Sequence, residues 1–195
     1  MLPPGSFRIF RITALSLAVG LLWPVAADGA EAARWAPQGH VAEEIARLLE
    51  EGRTDEAREL LETLPDEKRN SYEAHHLYGL LALAEKDFEK AKTHFVHALE
   101  KQPKAFVTAF NLTLLYRAGG EFNKGLELMS PFLSSPELTD RQKAEAHELT
   151  ASLYELSGSP RQAAEHLYAA LQLCPEEERY YYSLGAHLLG HLAFA

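Results

Sequence analysis

Gly52-Arg53-Thr54-Asp55-Glu56-Ala57, Lys86-Asp87-Phe88-Glu89-Lys90-Ala91 and Gly120-Glu121-Phe122-Asn123-Lys124-Gly125 are three copies of one pattern, evenly spaced at a period of 34. A fourth copy, Gly158-Ser159-Pro160-Arg161-Gln162-Ala163, follows the third at the same period with four residues inserted. Thr54, Asp87 and Ser159 stand where a second helix needs an N-cap, and Pro160 falls at a first helical position, where its missing N–H costs nothing. The inserted residues supply Thr139-Asp140-Arg141-Gln142, a capping-box spacing that should start the following helix about a turn early. A unit of this length is too thin to bury its own apolar face, so its neighbours must supply the core.

The 195 residues are 47% hydrophobic and 24% charged, a composition that excludes disorder and fibrous repeats. Lys and Arg number 19 against 28 Asp and Glu, a net charge of −9 with no basic stripe, so no nucleic-acid partner is expected. The one cysteine, Cys174, has no partner for an intrachain disulfide and no cluster for a structural zinc. Stability must come from packing.

The spaced positions resemble the tetratricopeptide repeat family, whose unit is a 34-residue pair of antiparallel helices. Repeat 2 (72–105) carries Tyr78-Gly79, Ala91, Phe95, Ala98 and Pro103, and repeat 4 (144–177) carries Ala151, Tyr154, Ala163, Leu167, Ala170 and Pro175. Repeat 3 (106–139) has Leu112, Thr113, Tyr116, Gly125 and Met129, and repeat 1 (about 38–70) has Leu48, Ala57 and Leu61. Tyr181, Leu184 and Gly185 open a terminal helix (178–195). The resemblance implies an all-α fold, a right-handed α-solenoid of about four helix pairs plus that terminal helix, over residues 38–195. Packing agrees with it: small Gly79, Thr113, Ala151 and Gly185 let paired helices approach, while Leu61, Phe95, Met129 and Leu167 fill the space between units. Two departures are expected to matter. Ile45 occupies the small position of repeat 1, so that pair should sit wider or shift register, and Pro131 should kink or end the second helix of repeat 3 near Ser130. Apolar Leu188, Leu189, Leu192 and Phe194 would need a cover, from a homodimer through the C-terminal helix or from a longer natural chain.

Residues 1–27 read as a secretory signal: Arg8 and Arg11, then the apolar run Ile12 to Val25, Pro24, and small residues before a cut expected after Ala27. Cleavage takes the net charge from −9 to −11, because the leader holds two arginines and no acid. An uncleaved signal anchor is the alternative, with the membrane engaged only through this N-terminal segment. Residues 28–37 form a short linker, and a periplasmic or secreted location is expected.

The family resemblance implies a concave groove lined by first helices that holds a peptide or protein segment. Its groove offsets fall on Glu73, His76, Leu80 and Leu83; on Val107, Phe110, Leu114 and Arg117; on Glu145, Glu148, Ser152 and Glu155; and on Arg179 and Tyr182. The middle is apolar, with Phe110, Leu114 and Arg117 expected as the central contact. The end is acidic, which suits a ligand with apolar side chains followed by a basic segment. The family's carboxylate clamp is missing, since Ala42, Ala46, Val107 and Asn111 stand at its sites and only Asn111 matches.

His187/His191 and His94/His97 each share a helix face, but neither pair has a third ligand that the sequence can name, and His147-Glu148 runs on without a second histidine. No metal and no cofactor are therefore expected. No nucleophile, base and polarising group converge in the pattern, so the chain reads as no enzyme. The expectation is an exported, non-catalytic protein-interaction scaffold. A signal-anchored membrane assembly factor and an accessory subunit of an envelope enzyme are the alternatives.

Overall fold

A computed structural model describes residues 40–192. The leader, the linker and Phe194 lie outside the described residues, as do the side chains of His191 and Leu192. Ten α-helices follow one another without a strand among the described residues: α1 (His40–Glu50), α2 (Thr54–Glu62), α3 (Asp66–Arg69), α4 (Tyr72–Ala84), α5 (Phe88–Lys101), α6 (Phe106–Ala118), α7 (Phe122–Met129), α8 (Asp140–Leu156), α9 (Pro160–Leu173) and α10 (Glu178–Leu192). They form an all-α solenoid of helix pairs α1/α2, α4/α5, α6/α7 and α8/α9, with α10 packed on α9. No described helix is long and apolar enough to cross a membrane.

Each pair turns on a residue in the left-handed backbone region, at Gly52 (φ 74°), Lys86 (φ 63°), Gly120 (φ 75°) and Gly158 (φ 77°). Glycine adopts that conformation at no steric cost, and Lys86 is the one side chain of the four that bears it. The cap expectations separate at this turn. The Asp87 carboxylate accepts the Lys90 N–H at 3.1 Å, as its position implies. Thr54 is already helical, behind an Arg53 that makes no side-chain cap, and Ser159 stands at the N-cap of α9 without a side-chain cap bond, its own N–H going to the Tyr154 carbonyl.

Two opposing positions fix how closely each pair packs. Ile45, Leu61, Phe95, Met129 and Ala151 are all essentially buried, and an added Cβ on Gly79 would meet the Phe95 ring. The sizes compensate, Ile45 with Leu61 in repeat 1 and Gly79 with Phe95 in repeat 2. Repeat 1 therefore needs no register shift: α2, α5 and α7 begin in even register, at Thr54, Phe88 and Phe122. Pro131 acts as expected. Helix α7 stops at Met129 and a 3-10 turn over Ser130–Phe132 follows, delivering Phe132 edge-on to Phe106 at 5.6 Å between ring centroids. The capping box at Thr139 also forms, with Gln142 N–H donating to Thr139 Oγ1 (3.2 Å) and Thr139 N–H to Gln142 Oε1 (3.0 Å). It gives α8 17 residues against 13 in α4 and α6.

Candidate functional site

The expected groove residues divide by depth. Leu80, Leu83, Leu114 and Glu145 are 9% exposed or less and His76 only 1%, all five in the packing between neighbouring first helices. Val107, Phe110, Glu73, Arg117, Glu148, Ser152 and Arg179 are half-buried, and Glu155 and Tyr182 are exposed. The central strip is thus mostly interior, because successive first helices approach closely enough to cover it. Of the three residues expected as the central contact, only Phe110 keeps an apolar surface. Asn111, the one residue shared with the carboxylate clamp, is only 1% exposed.

What lies on this face is a series of polar rungs between neighbouring first helices. From α4 to α6, Tyr72 Oη and His76 Nδ1 both bond Thr108 Oγ1, at 3.0 and 2.8 Å. Burial drives the His76 pKa down to about 4, so this imidazole stays neutral. From α6 to α8, Arg117 Nη1 donates to Ser152 Oγ at 3.2 Å. From α8 to α10 there are three rungs: Arg179 spans Glu145 (3.4 Å) and Glu148 (3.8 Å), Ser183 Oγ donates to Glu148 (2.9 Å), and His187 Nδ1 meets Glu155 (2.6 Å). Burial raises the Glu145 carboxyl, and Arg179 and Arg141 pull it back. The expected acidic end is therefore met throughout by α10, and Glu155 is its most exposed carboxylate.

At α10 the face opens. Tyr182 and Leu189, two turns apart and so on one helix side, are each 73% exposed. Tyr181 and Leu188 are exposed on the adjoining side. Leu189 holds a groove offset of this helix, whereas the sequence marks it only as a surface needing cover.

Two features escape the sequence. A depression of about 510 Å³ opens on the opposite, second-helix face, between α5 and the shortened α7, with Val96, Leu99, Tyr116 and Leu128 in its wall. The other corrects the reading of the histidines. His75 of α4 lies against His94 of α5, its Nδ1 3.3 Å from His94 Nδ1, and it joins His97 in one cluster. A third imidazole therefore accompanies the His94/His97 pair. Spacing along one helix cannot reveal it, because His75 belongs to the preceding helix and only the antiparallel pairing brings it close. His187 turns instead to Glu155.

These features define an all-helical solenoid of the tetratricopeptide type. Among solved structures it is similar to MamA, residues 41 to the end, from Desulfovibrio magneticus RS-1, at 20% identity and a TM-score of 0.65 over 80% of this chain and 88% of that one. A double mutant of RS-1 MamA superposes with the same TM-score of 0.65, and AMB-1 MamA with 0.60 at 14% identity over 78% of this chain and 87% of that one. At such identities the likeness is one of fold. No family model and no curated protein matches the sequence.

Proposed function

We propose that the protein is an exported, non-catalytic scaffold that holds a protein or peptide segment along its first-helix face, with the anchor at α10. The observation that carries this is the pair Tyr182 and Leu189, each 73% exposed on the face whose upstream members are packed away. Large apolar groups exposed along one side of a helix mark a surface that a partner can cover. Exposed Glu155, which meets His187 of α10, favours a segment that brings a basic residue along with its apolar ones. The non-catalytic part draws support from Cys174, whose thiol burial pushes above its ordinary value, away from the thiolate that a nucleophile needs. The export part rests on the charged, apolar and small-residue order of residues 1–27. N-terminal sequencing of protein made through its native route should return Asp28 as the first residue, and a retained Met1 in the membrane fraction would favour the anchor.

The binding reading is tested by affinity capture from the native compartment with wild type, Tyr182→Asp, Leu189→Asp and, on the second-helix side, Phe88→Asp. All three positions are exposed, so the fold should survive, as circular dichroism checks. The α10 variants should lose the captured partner and Phe88→Asp should keep it. The reverse pattern would move the site to the second-helix face. If the wild type instead forms a dimer by sedimentation velocity and Leu189→Asp is monomeric, the partner at α10 is a second copy.

A further inference from the structure

The histidine cluster between α4 and α5 is used by nothing described so far. His94 and His97 lie one turn apart on α5, and His75 reaches them from the antiparallel α4, so one donor atom from each falls within 4.8 Å of the others. Zinc bound by imidazoles at ~2.0–2.1 Å in a tetrahedral field holds its nitrogens about 3.3–3.4 Å apart. The His75 and His94 Nδ1 atoms already stand at 3.3 Å. His97, on the solvent side of the cluster, completes the set by a side-chain rotation.

The surroundings point the right nitrogen inward. His75 Nε2 lies 3.1 Å from Asn70 Oδ1, an atom that only accepts, so Nε2 carries the proton and Nδ1 turns its lone pair toward His94. A hydrogen bond from the outer ring nitrogen to a polar oxygen is the arrangement that orients histidine ligands. The His94 ring is held flat on Tyr78, 5.2 Å between centroids and 24° between planes, and His97 meets His75 edge-on at 5.1 Å. Without an ion, His94 Nδ1–H donates to His75. With one, His94 moves that proton to its outer nitrogen and both Nδ1 atoms ligate.

Repeat 4 supplies a comparison within the same chain. His147 and His166, spaced as His75 and His94 are, bring their Nδ1 atoms to 2.9 Å, and Tyr154 stacks on His166 at 5.4 Å. The residue in register with His97 is there Ala169. The imidazole pair alone is thus a device joining the two helices of a unit, and repeat 2 differs by the added third donor.

We propose that His75, His94 and His97 form a three-imidazole site for a zinc-type divalent transition-metal ion, its fourth position open to water. A donor set of nitrogens with no carboxylate selects zinc, copper or nickel over calcium or magnesium. The site bridges the two helices of repeat 2 and presents an ion with an open position on the outer surface.

The test titrates the untagged full chain with zinc alone, by calorimetry and by competition with a chromophoric chelator, and repeats it with cobalt for its visible absorption. One saturable equivalent is expected in the wild type. His97→Gln and His75→Gln should each weaken it at least about tenfold, and Asn70→Ala by about tenfold through the lost orientation. His166→Gln should bind as wild type does, with folding followed by circular dichroism throughout. The absence of saturable binding in the wild type would overturn the proposal. So would an affinity unchanged in the folded His97→Gln protein, or one lost in His166→Gln or His191→Gln instead.

Discussion

Replacing Gly79 and Gly185 by alanine, one at a time, makes the same chemical change at the same register of two helices and should move stability in opposite directions. In a helix interior, alanine is favoured over glycine by ~1 kcal/mol. At Gly185 that gain stands alone, because a Cβ there meets nothing within 4 Å. At Gly79 the new Cβ would lie 2.6 Å from Phe95 Cδ1 and 2.9 Å from Cζ, closer than carbon atoms pack. Phe95 is fully buried and its ring leans on His76, 5.7 Å between centroids, so it has no open direction in which to retreat. Overpacking of a filled core costs ~1–3 kcal/mol, and an immobile ring places this case near the top. Less the propensity gain, Gly79→Ala should lose about 2 kcal/mol while Gly185→Ala gains up to about 1. Urea denaturation followed by far-UV circular dichroism measures both. A neutral or stabilising Gly79→Ala would refute the account of how α4 and α5 pack, and a destabilising Gly185→Ala would refute the open space drawn beside α10.

Lys86→Gly should stabilise by about 0.5–1 kcal/mol, since it relieves the left-handed strain at φ 63° at some cost in chain entropy; an unchanged denaturation midpoint would mean that the turn bears no strain. Thr139→Ala removes the N-cap of α8 and should cost about 1 kcal/mol in the same assay. His166 is held at about 4, by burial first and by His147 second, whereas an unfolded histidine titrates near ~6.5. Protons therefore bind the unfolded chain more readily, and this site's contribution, complete above about pH 6.5, drains away as the pH falls toward 4; discounted for partial solvent access it is about 1–2 kcal/mol. Urea midpoints should fall further between pH 7 and pH 4.5 in wild type than in His166→Gln, and parallel profiles would count against it. Ala169→His should create a second zinc equivalent in repeat 4, read by the same titration as for repeat 2.

Spacing makes the helix pairs legible, and two punctuation marks are legible to the residue: Pro131 ends α7, and Thr139 with Gln142 starts α8. These signals are local, a missing donor in one case and a three-residue hydrogen-bond loop in the other. Ile45 is misleading because its position says nothing of the volume it faces. Its opposite number is Leu61 rather than a phenylalanine, and a sum of two side chains decides the fit. The groove offsets pick the correct helices but the wrong depth. They say which side of a helix a residue occupies; they do not say that Leu114 is buried while Tyr182, on α10, has no covering neighbour among the described residues. His75 can be found only by asking which residue of α4 stands opposite His94 in an antiparallel pair, a question the i, i+3 spacing along one helix never raises.

The rungs across the first helices join each unit only to the next, which makes the solenoid a set of elements loaded in series. Pulled at both sides, such an array has no clasp between distant units among the described residues, so it should yield one helix pair at a time. Each step would release a 34-residue unit, on the order of 100 Å of chain. The three rungs from α8 to α10 gather the polar ties at one end, against a single one between α6 and α8. Such a solenoid is stiffer between α8 and α10 than between α6 and α8, and extension should begin around the short α7.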